Sequence, residues 1–329
     1  MNFLVQKLRI WKILALLTII LTFLTLCGFM GKLWWFFDMA SHFRMQYFAN
    51  LALLAFLFFV GKKFSQATFA GTFALVNLSL VIPPITGNSN PILEEQSLRA
   101  LTINLSINNS SFDKARNLIK KTQPDILLLM EYLPPWEKEL QETLGQYRFS
   151  KVSSLKNGWA LGFYSRIPIE ESSIIYLGNV PIPIVKAKLK IGEKLVNFIG
   201  AHLQDPSDPT RQGIRNKQLH ALSQYLQEKT RPVMVLGDLN VSPWSPYFTD
   251  LTKKNALHGT KRNEFWLPTW PTYFPLLQIP LDYFLASEDI VISKYERGPD
   301  IGSDHYPVVV DFSLMPQCHK KRVLHHEHC

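Results

Sequence analysis

Cysteine is scarce in this chain and poorly placed for structural chemistry. The three residues are Cys27, Cys318 and Cys329, so no thiol lies between positions 28 and 317. A disulfide framework or a Cys-based zinc site across that stretch is excluded. Net charge is also nearly missing from the same region. Residues 91–315 hold 25 basic and 24 acidic side chains, although the whole chain carries +9. The excess sits at the ends, with +6 in residues 1–90 and +2 from Pro316 onward. Bulk charge therefore gives no argument for a nucleic-acid partner, although a local basic face is not excluded. Internal repeats and low-complexity tracts are absent as well.

The N-terminus lacks charge in a different way. Ile13–Gly31 is uncharged and almost wholly apolar, and Met45–Gly61 is interrupted only by Gln46 and Asn50. Phe64–Leu93 has no charge, and its apolar part, about 67–82, ends at Pro83-Pro84. A bilayer core takes roughly 20 apolar residues, with about 17 tolerated. We therefore expect a membrane anchor over residues 1–90, with about three transmembrane helices at roughly 12–31, 45–61 and 66–83. A cleaved signal is the rival for the first, but its apolar stretch is too long and no small-x-small site precedes Trp34-Trp35. Lys7, Arg9 and Lys12 precede the first span, and Lys62 and Lys63 lie between the second and third. Lys32 and Arg44 in the first loop weaken this bias. The positive-inside rule then predicts a multi-pass protein of the plasma (inner) membrane with an extracytoplasmic C-terminal domain. With two spans that domain is cytoplasmic instead.

Thr86–Pro91 has the composition of a linker, and residues 91–315 follow as a globular domain. Strand-like runs at Leu98–Leu105, Asp125–Met130, Trp159–Tyr164, Ser172–Leu177, Val185–Ile191, Lys194–Ala201, Arg231–Leu236, Leu281–Ala286 and Pro307–Phe312 alternate with helical stretches at Ser111–Lys121 and Pro209–Glu228. About ten strands and three or four helices predict two packed sheets with helices outside. Arg211, Arg215 and Lys217 on the second helix read as a solvated face, with phosphate binding as the alternative. Residues 316–329 read as a disordered polar tail, although Cys318, His319, His325, His326, His328 and Cys329 are capable metal ligands.

Polar residues close the strand-like runs in a distinctive order. Asn104 follows Leu101-Thr-Ile, Glu131 follows Ile126–Met130, and His202 follows Gly200-Ala201. Asp238 and Asn240 lie in Gly-Asp-Leu-Asn, Asp282 follows Pro280-Leu281, and Asp304 and His305 lie in Gly-Ser-Asp-His. Taken singly, each is an ordinary strand-end or turn residue. Carboxylates, amides and imidazoles gathered at strand ends suit metal-assisted attack of water on phosphorus.

These motifs, with Gln123-Pro-Asp-Ile, Ala201-His-Leu, Leu281–Ser287 and Ser303–Val308, resemble the endonuclease/exonuclease/phosphatase superfamily over roughly residues 98–314. That superfamily includes DNase I, exonuclease III-type nucleases, inositol-phosphate 5-phosphatases and neutral sphingomyelinases. The resemblance implies an α/β (α+β) fold: a DNase I-like four-layer α/β/β/α sandwich, here preceded by transmembrane helices, with the site at one rim of its paired sheets. It implies Mg²⁺ as cofactor, with Mn²⁺ the alternative, bound by Glu131 with help from Asn104 and Asp304. It further implies that Asp238 deprotonates the attacking water and that Asn240 fixes the water or the phosphate. His305 is implied as a donor to a phosphate oxygen, oriented by Asp282, and His202 as a second donor. Ser106 stands where abasic-site nucleases carry an acid, which argues against that branch. Trp270-Pro271 matches a pattern of membrane-attached bacterial members. The implied function is a hydrolase of a phosphodiester or phosphomonoester, foremost a nuclease or phosphodiesterase. The alternatives are a hydrolase of phospholipid, sphingomyelin or inositol-phosphate headgroups and, second, a non-catalytic binding module. The implied partners are the lipid bilayer and a phosphate-ester substrate, either nucleic acid or lipid headgroup.

Overall fold

The computed structural model describes residues 2–82, 97–153, 158–259 and 267–315. The linker at 86–91 and the tail at 316–329 lie outside the described residues. The chain forms two compact units, one of Met1–Pro84 with Val241–Thr249, the other of Ile85–Asn240 with Asp250–Cys329.

The first unit is helical: α1 (Asn2–Cys27), α2 (Trp35–Ser41), α3 (Arg44–Val60) and α4 (Phe64–Val81). Among the described residues, two helices are long and apolar enough to cross a membrane, and a third span arises if α2 and α3, bent by 67°, count as one. Ala70 and Ala74, four residues apart, are buried beside Leu51, Leu54 and Phe58, since small side chains let helix backbones approach closely. The outward side chains are themselves apolar, among them Ile13, Ile19, Phe23, Phe56 and Phe59. Arg44, which the sequence places in a loop, is only 1% exposed. Its guanidinium donates to the Thr25 carbonyl at 2.7 Å and lies 4.5 Å from the centre of the Phe29 ring. Val241–Thr249 belongs to this unit, although the sequence assigns it to the globular domain. Within the unit, Ser245 Oγ donates to Asp38 Oδ1 and Ser242 Oγ meets His42 Nδ1, each at 2.7 Å.

Among the described residues, the second unit contains two six-stranded mixed sheets. One has the order β11 (Ile290–Arg297), β12 (Val308–Leu314), β1 (Leu98–Asn104), β2 (Ile126–Met130), β4 (Leu161–Ser165), β3 (Phe149–Val152). The other runs β5 (Ile169–Tyr176), β6 (Pro183–Ile191), β7 (Lys194–His202), β8 (Val233–Asp238), β10 (Asp282–Ser287), β9 (Leu257–His258). Side-chain alternation along a strand explains how one sheet faces two cores. Ala100, Ile126, Leu128 and Met130 join Phe198, Met234, Leu236 and Phe284 of the opposite sheet in one buried cluster. Their neighbours Leu101, Ile103, Leu127 and Leu129 instead meet α5 (Phe112–Thr122) and α6 (Pro134–Leu144) through Leu118, Ile119, Trp136 and Leu140. On the second sheet, α7 (Pro209–Gln227) makes the crossover between parallel strands β7 and β8 and buries Leu219, Leu222 and Leu226. It starts where the Asp208 carboxylate accepts from the Thr210 and Arg211 amides, with Pro209 at the first helical position.

Strand direction brings the polar strand ends together. Parallel β1 and β2 finish side by side, with Asn104 paired to Met130, so Glu131 leaves the same rim. Parallel β7 and β8 finish with His202 opposite Asp238, and antiparallel β10 begins with Asp282 opposite Asp238. Antiparallel β12 begins beside the end of β1, with Val308 paired to Thr102, so the preceding loop carries Asp304 and His305 to that end.

Candidate active site

Both tetrapeptides need their glycines. Gly237 has φ +129°, and a Cβ there would meet the Ala201 carbonyl oxygen at 2.0 Å. Gly302 has φ +85°, and a Cβ there would meet Ser111 Oγ at 2.4 Å. Any L side chain at either place is strained and clashes. The backbone turns they permit set Asp238 and the Ser303–His305 loop.

Asp238 is fully buried at the end of β8. Its Oδ1 accepts from the Asn240 amide at 2.8 Å, and its Oδ2 lies 3.4 Å from the side-chain nitrogens of both Asn240 and Asn104. The Nε2 atoms of His305 and His202 lie 3.7 and 3.8 Å from the same Oδ2. Those gaps exceed hydrogen-bond length, so the acid does not consume either imidazole. Burial, and next the charge of Asp282, push the Asp238 carboxyl well above the usual carboxylate range.

His305 pairs through Nδ1 with Asp282 Oδ2 at 2.8 Å. Burial pulls its pKa down, but the charges of Asp282 and Asp238 outweigh that and carry it up to about 10. The imidazole is thus cationic at neutral pH. His202 behaves in the opposite way: burial, then the nearby His305 charge, lower it to about 4, so it is neutral. Its Nδ1 is buried with no hydrogen-bond partner among the described residues, and the Trp159 ring lies 4.9 Å away.

The remaining acids lie on the other side of Asn104. Glu131 leaves β2 in a left-handed conformation (φ 56°), and its Oε2 accepts from the Ile107 amide at 2.7 Å. Burial raises its pKa; the Ile107 bond opposes this, and the charge of Asp304 adds to it. Asn104 hydrogen-bonds Glu131 as well as facing Asp238, and so stands between the two groups. Asp304 Oδ2 accepts from Trp270 Nε1 at 3.3 Å, and Ser303 Oγ donates to the Asn104 carbonyl at 2.7 Å.

Two groupings suit a cation. Glu131, Asp304 and Asn104 offer hard oxygen donors of the kind Mg²⁺ takes, and the mutual repulsion of the two acids is relieved by positive charge. Among the described residues, the ligand atoms of Asp238, Asp282 and His305 lie within 4.8 Å of one another, which also allows metal binding.

The structure brings all eight residues expected from the sequence to this rim. It corrects the reading of Arg215 as part of a solvated face. Arg215 is fully buried, and its Nη1 donates to the Asn240 carbonyl at 2.9 Å, supporting the left-handed turn (φ 50°) after Asp238. Its spacing from Leu219 and Leu222 was a usable signal, since positions four and seven apart share a helix face. Thr269 was also missed; its buried hydroxyl accepts from the Leu281 and Asp282 amides, each at 3.2 Å. A lone Thr in a loop carries no such signal in sequence.

Residues 101–305, which include every residue of the rim, match the endonuclease/exonuclease/phosphatase family. The chain belongs to that family. Family members are divalent-metal-dependent phosphodiester hydrolases, and this chain is a hydrolase acting on phosphate esters. No curated protein matches it in sequence. Among solved structures, zebrafish (D. rerio) TDP2 complexed with a single-strand DNA product is similar at TM-score 0.57 and 20% identity, over 67% of this chain and all of that one. The endonuclease/exonuclease/phosphatase from Beutenbergia cavernae gives 0.54 and 16%, over 67% and 72% of the two chains. The human Nocturnin catalytic domain gives 0.53 and 19%, over 67% and 95%. At these identities the likeness establishes the DNase I-like fold.

Proposed function

We propose that this protein is a membrane-anchored, Mg²⁺-dependent phosphodiesterase that directs water in line at phosphorus. The observation that carries the reading is the meeting of Asp238 with the His305–Asp282 pair at the rim that also holds Glu131 and Asp304. Asp238 takes the proton of the attacking water, and its Oδ1 is fixed by Asn240 so that Oδ2 faces the reaction. Cationic His305 donates from Nε2 to a non-bridging oxygen as negative charge builds there. Neutral His202 has a single N–H to give to a second oxygen. Glu131, Asp304 and Asn104 hold the cation, because His305 has no free lone pair when protonated and its Nδ1 is already spent on Asp282. When bound, Mg²⁺ neutralises charge on the phosphate and favours the ionised form of Asp238. A nuclease is the rival assignment within the same chemistry, but a domain near +1 lacks the charge that makes phosphate backbones bind.

Hydrolysis of bis(p-nitrophenyl) phosphate by the detergent-solubilised full chain tests this reading. Chelating divalent ions with EDTA is expected to lower turnover by at least about 10³-fold, with recovery on adding Mg²⁺. Turnover indifferent to EDTA would sink the mechanism.

The helical unit is proposed to cross the membrane three times, which leaves the catalytic domain on the extracytoplasmic side. Burial of Arg44 supports this orientation, because a guanidinium bonded inside the unit is not a free loop charge. Alkaline phosphatase fused after Leu314 should be active, as it is only outside the cytoplasm; an inactive fusion with an intact chain reverses the orientation.

A further inference from the structure

Beside the catalytic rim, residues 267–281 contain no charged side chain, and within them Tyr273-Phe-Pro-Leu-Leu277 are five consecutive exposed residues. Tyr273 is 72% exposed and Leu276 80%, with Phe274 and Leu277 also open to solvent. A soluble face of this kind is costly, and contiguous exposed apolar groups mark interaction sites.

The loop is built and held. Its base is pinned where Trp270 pairs with Ile279, the Ile279 amide donating to the Trp270 carbonyl at 2.7 Å. Its tip is braced by a bond from the Leu277 amide to the Phe274 carbonyl at 3.0 Å and one from Gln278 Nε2 to the Pro271 carbonyl at 3.1 Å. It is also tied to the site, since Thr272 donates through its amide to the Asp304 carbonyl at 2.9 Å and through its hydroxyl to the Ser303 carbonyl at 2.7 Å. Trp270, at the foot of the loop, is the residue that bonds the Asp304 carboxylate. The apolar tip is therefore braced against the backbone that presents Asp304 and His305. Ile107, whose amide holds Glu131, is 54% exposed, so a second open apolar residue is bonded to the site.

We propose that this loop enters a lipid bilayer and that the phosphodiester hydrolysed is that of a membrane phospholipid. The proposal rests on the phosphodiesterase reading above. The occupant is chosen by the chain itself, which carries helices long and apolar enough to span a membrane; the lipid surface is thereby always present at high effective concentration. An uncharged tip of aromatic and aliphatic side chains enters the interfacial zone without burying a charge. In the reaction, a water oxygen bonds to phosphorus and one of the two P–O ester bonds breaks. One proton of the water ends on the departing alkoxide, so the products are an alcohol and a phosphomonoester.

The test uses the full chain in liposomes of phosphatidylethanolamine and phosphatidylglycerol, compared with a Leu276→Asp/Leu277→Asp variant. Both changes fall on exposed positions that the fold does not use. The variant is expected to lose about tenfold or more of its turnover of bilayer lipid, read as released headgroup and diacylglycerol, and to keep its turnover of bis(p-nitrophenyl) phosphate. Equal turnover of bilayer lipid by the two proteins overturns the proposal, as does faster cleavage of a single-stranded oligonucleotide than of lipid by the parent. A nitroxide at Leu276→Cys, with the three native cysteines changed to Ser, gives a readout independent of catalysis. Greater relaxation by oxygen than by an aqueous nickel chelate places the loop in the bilayer; the reverse overturns the proposal. If the parent cleaves neither substrate, the phosphodiesterase reading fails, and the nitroxide still decides where the loop lies.

Discussion

Asp238→Asn is expected to lower turnover by roughly 10³- to 10⁴-fold while leaving the folded protein at least as stable, and the opposite signs are the informative part. Asparagine keeps the shape of the acid but cannot accept the proton of the attacking water. The stability side follows from the direction of the pKa shift. Burial and the neighbouring Asp282 raise the folded-state pKa of Asp238 above its unfolded value. Ionising it therefore costs more in the folded protein than in the unfolded chain. That penalty is absent below the unfolded pKa of about 3.9 and accumulates as pH rises toward the folded value. The amide cannot ionise and escapes the penalty. Against that gain stands a loss, because its NH₂ must face donors from Asn104 and Asn240 where a carboxylate accepted them. Steady-state kinetics with Mg²⁺ and metal-free thermal melts at pH 7 measure the two effects separately. Turnover within about tenfold of the parent would remove Asp238 from the role of base. A melting temperature that collapses along with activity would make it a structural residue instead.

Much of this geometry is legible in the sequence, because a strand end is a local event. Asn104, Glu131, His202, Asp238 and Asp282 each close or open an apolar run, and such runs declare themselves through composition. What the sequence withholds depends on pairing across the fold. Gly-Ser-Asp-His by itself reads as an acid beside its histidine; only the family resemblance points to Asp282 as the partner of His305, and the structure pairs the two from an antiparallel strand 23 positions earlier. Arg215 reads as solvated because Arg211 and Lys217 flank it, and only docking of α7 against the Asn240 turn buries it. The missed strands are informative too. β11 (Ile290–Arg297) carries Ser293, Lys294, Glu296 and Arg297, polar side chains tolerated because among the described residues it is an edge strand with β12 as its neighbour. The short β3 is an edge for the same reason, and edge strands carry the weakest hydrophobic signal.

Asp282→Asn is expected to move the basic limb of the pH–rate profile down by several units, a larger displacement than any loss of packing can cause. In the parent, burial lowers the His305 pKa while the charges of Asp282 and Asp238 raise it to about 10, so the imidazole stays a cationic donor through the physiological range. The variant keeps the burial and can keep a hydrogen bond to Nδ1, but it loses the charge. Burial then has less opposing it, with the charge of Asp238 left on the raising side, and the imidazole pKa falls from about 10 toward the ordinary value of about 6.5. At pH 5.5 the variant still holds a protonated His305 and loses about tenfold or less; at pH 8 the donor is neutral and the loss grows to about 10²-fold or more. The stability profile must change with it. A histidine whose folded pKa lies above its unfolded value contributes stability that is complete below about 6.5 and disappears as pH rises toward about 10. The parent is therefore expected to lose melting temperature across that window, and the variant to lose this dependence. Histidine ring signals followed by NMR supply the direct reading, with His202, lowered to about 4, as an internal reference that stays neutral throughout the window. A basic limb that stays in place in the variant means that Asp282 does not control the charge of His305. The 2.8 Å contact would then orient the ring without charging it.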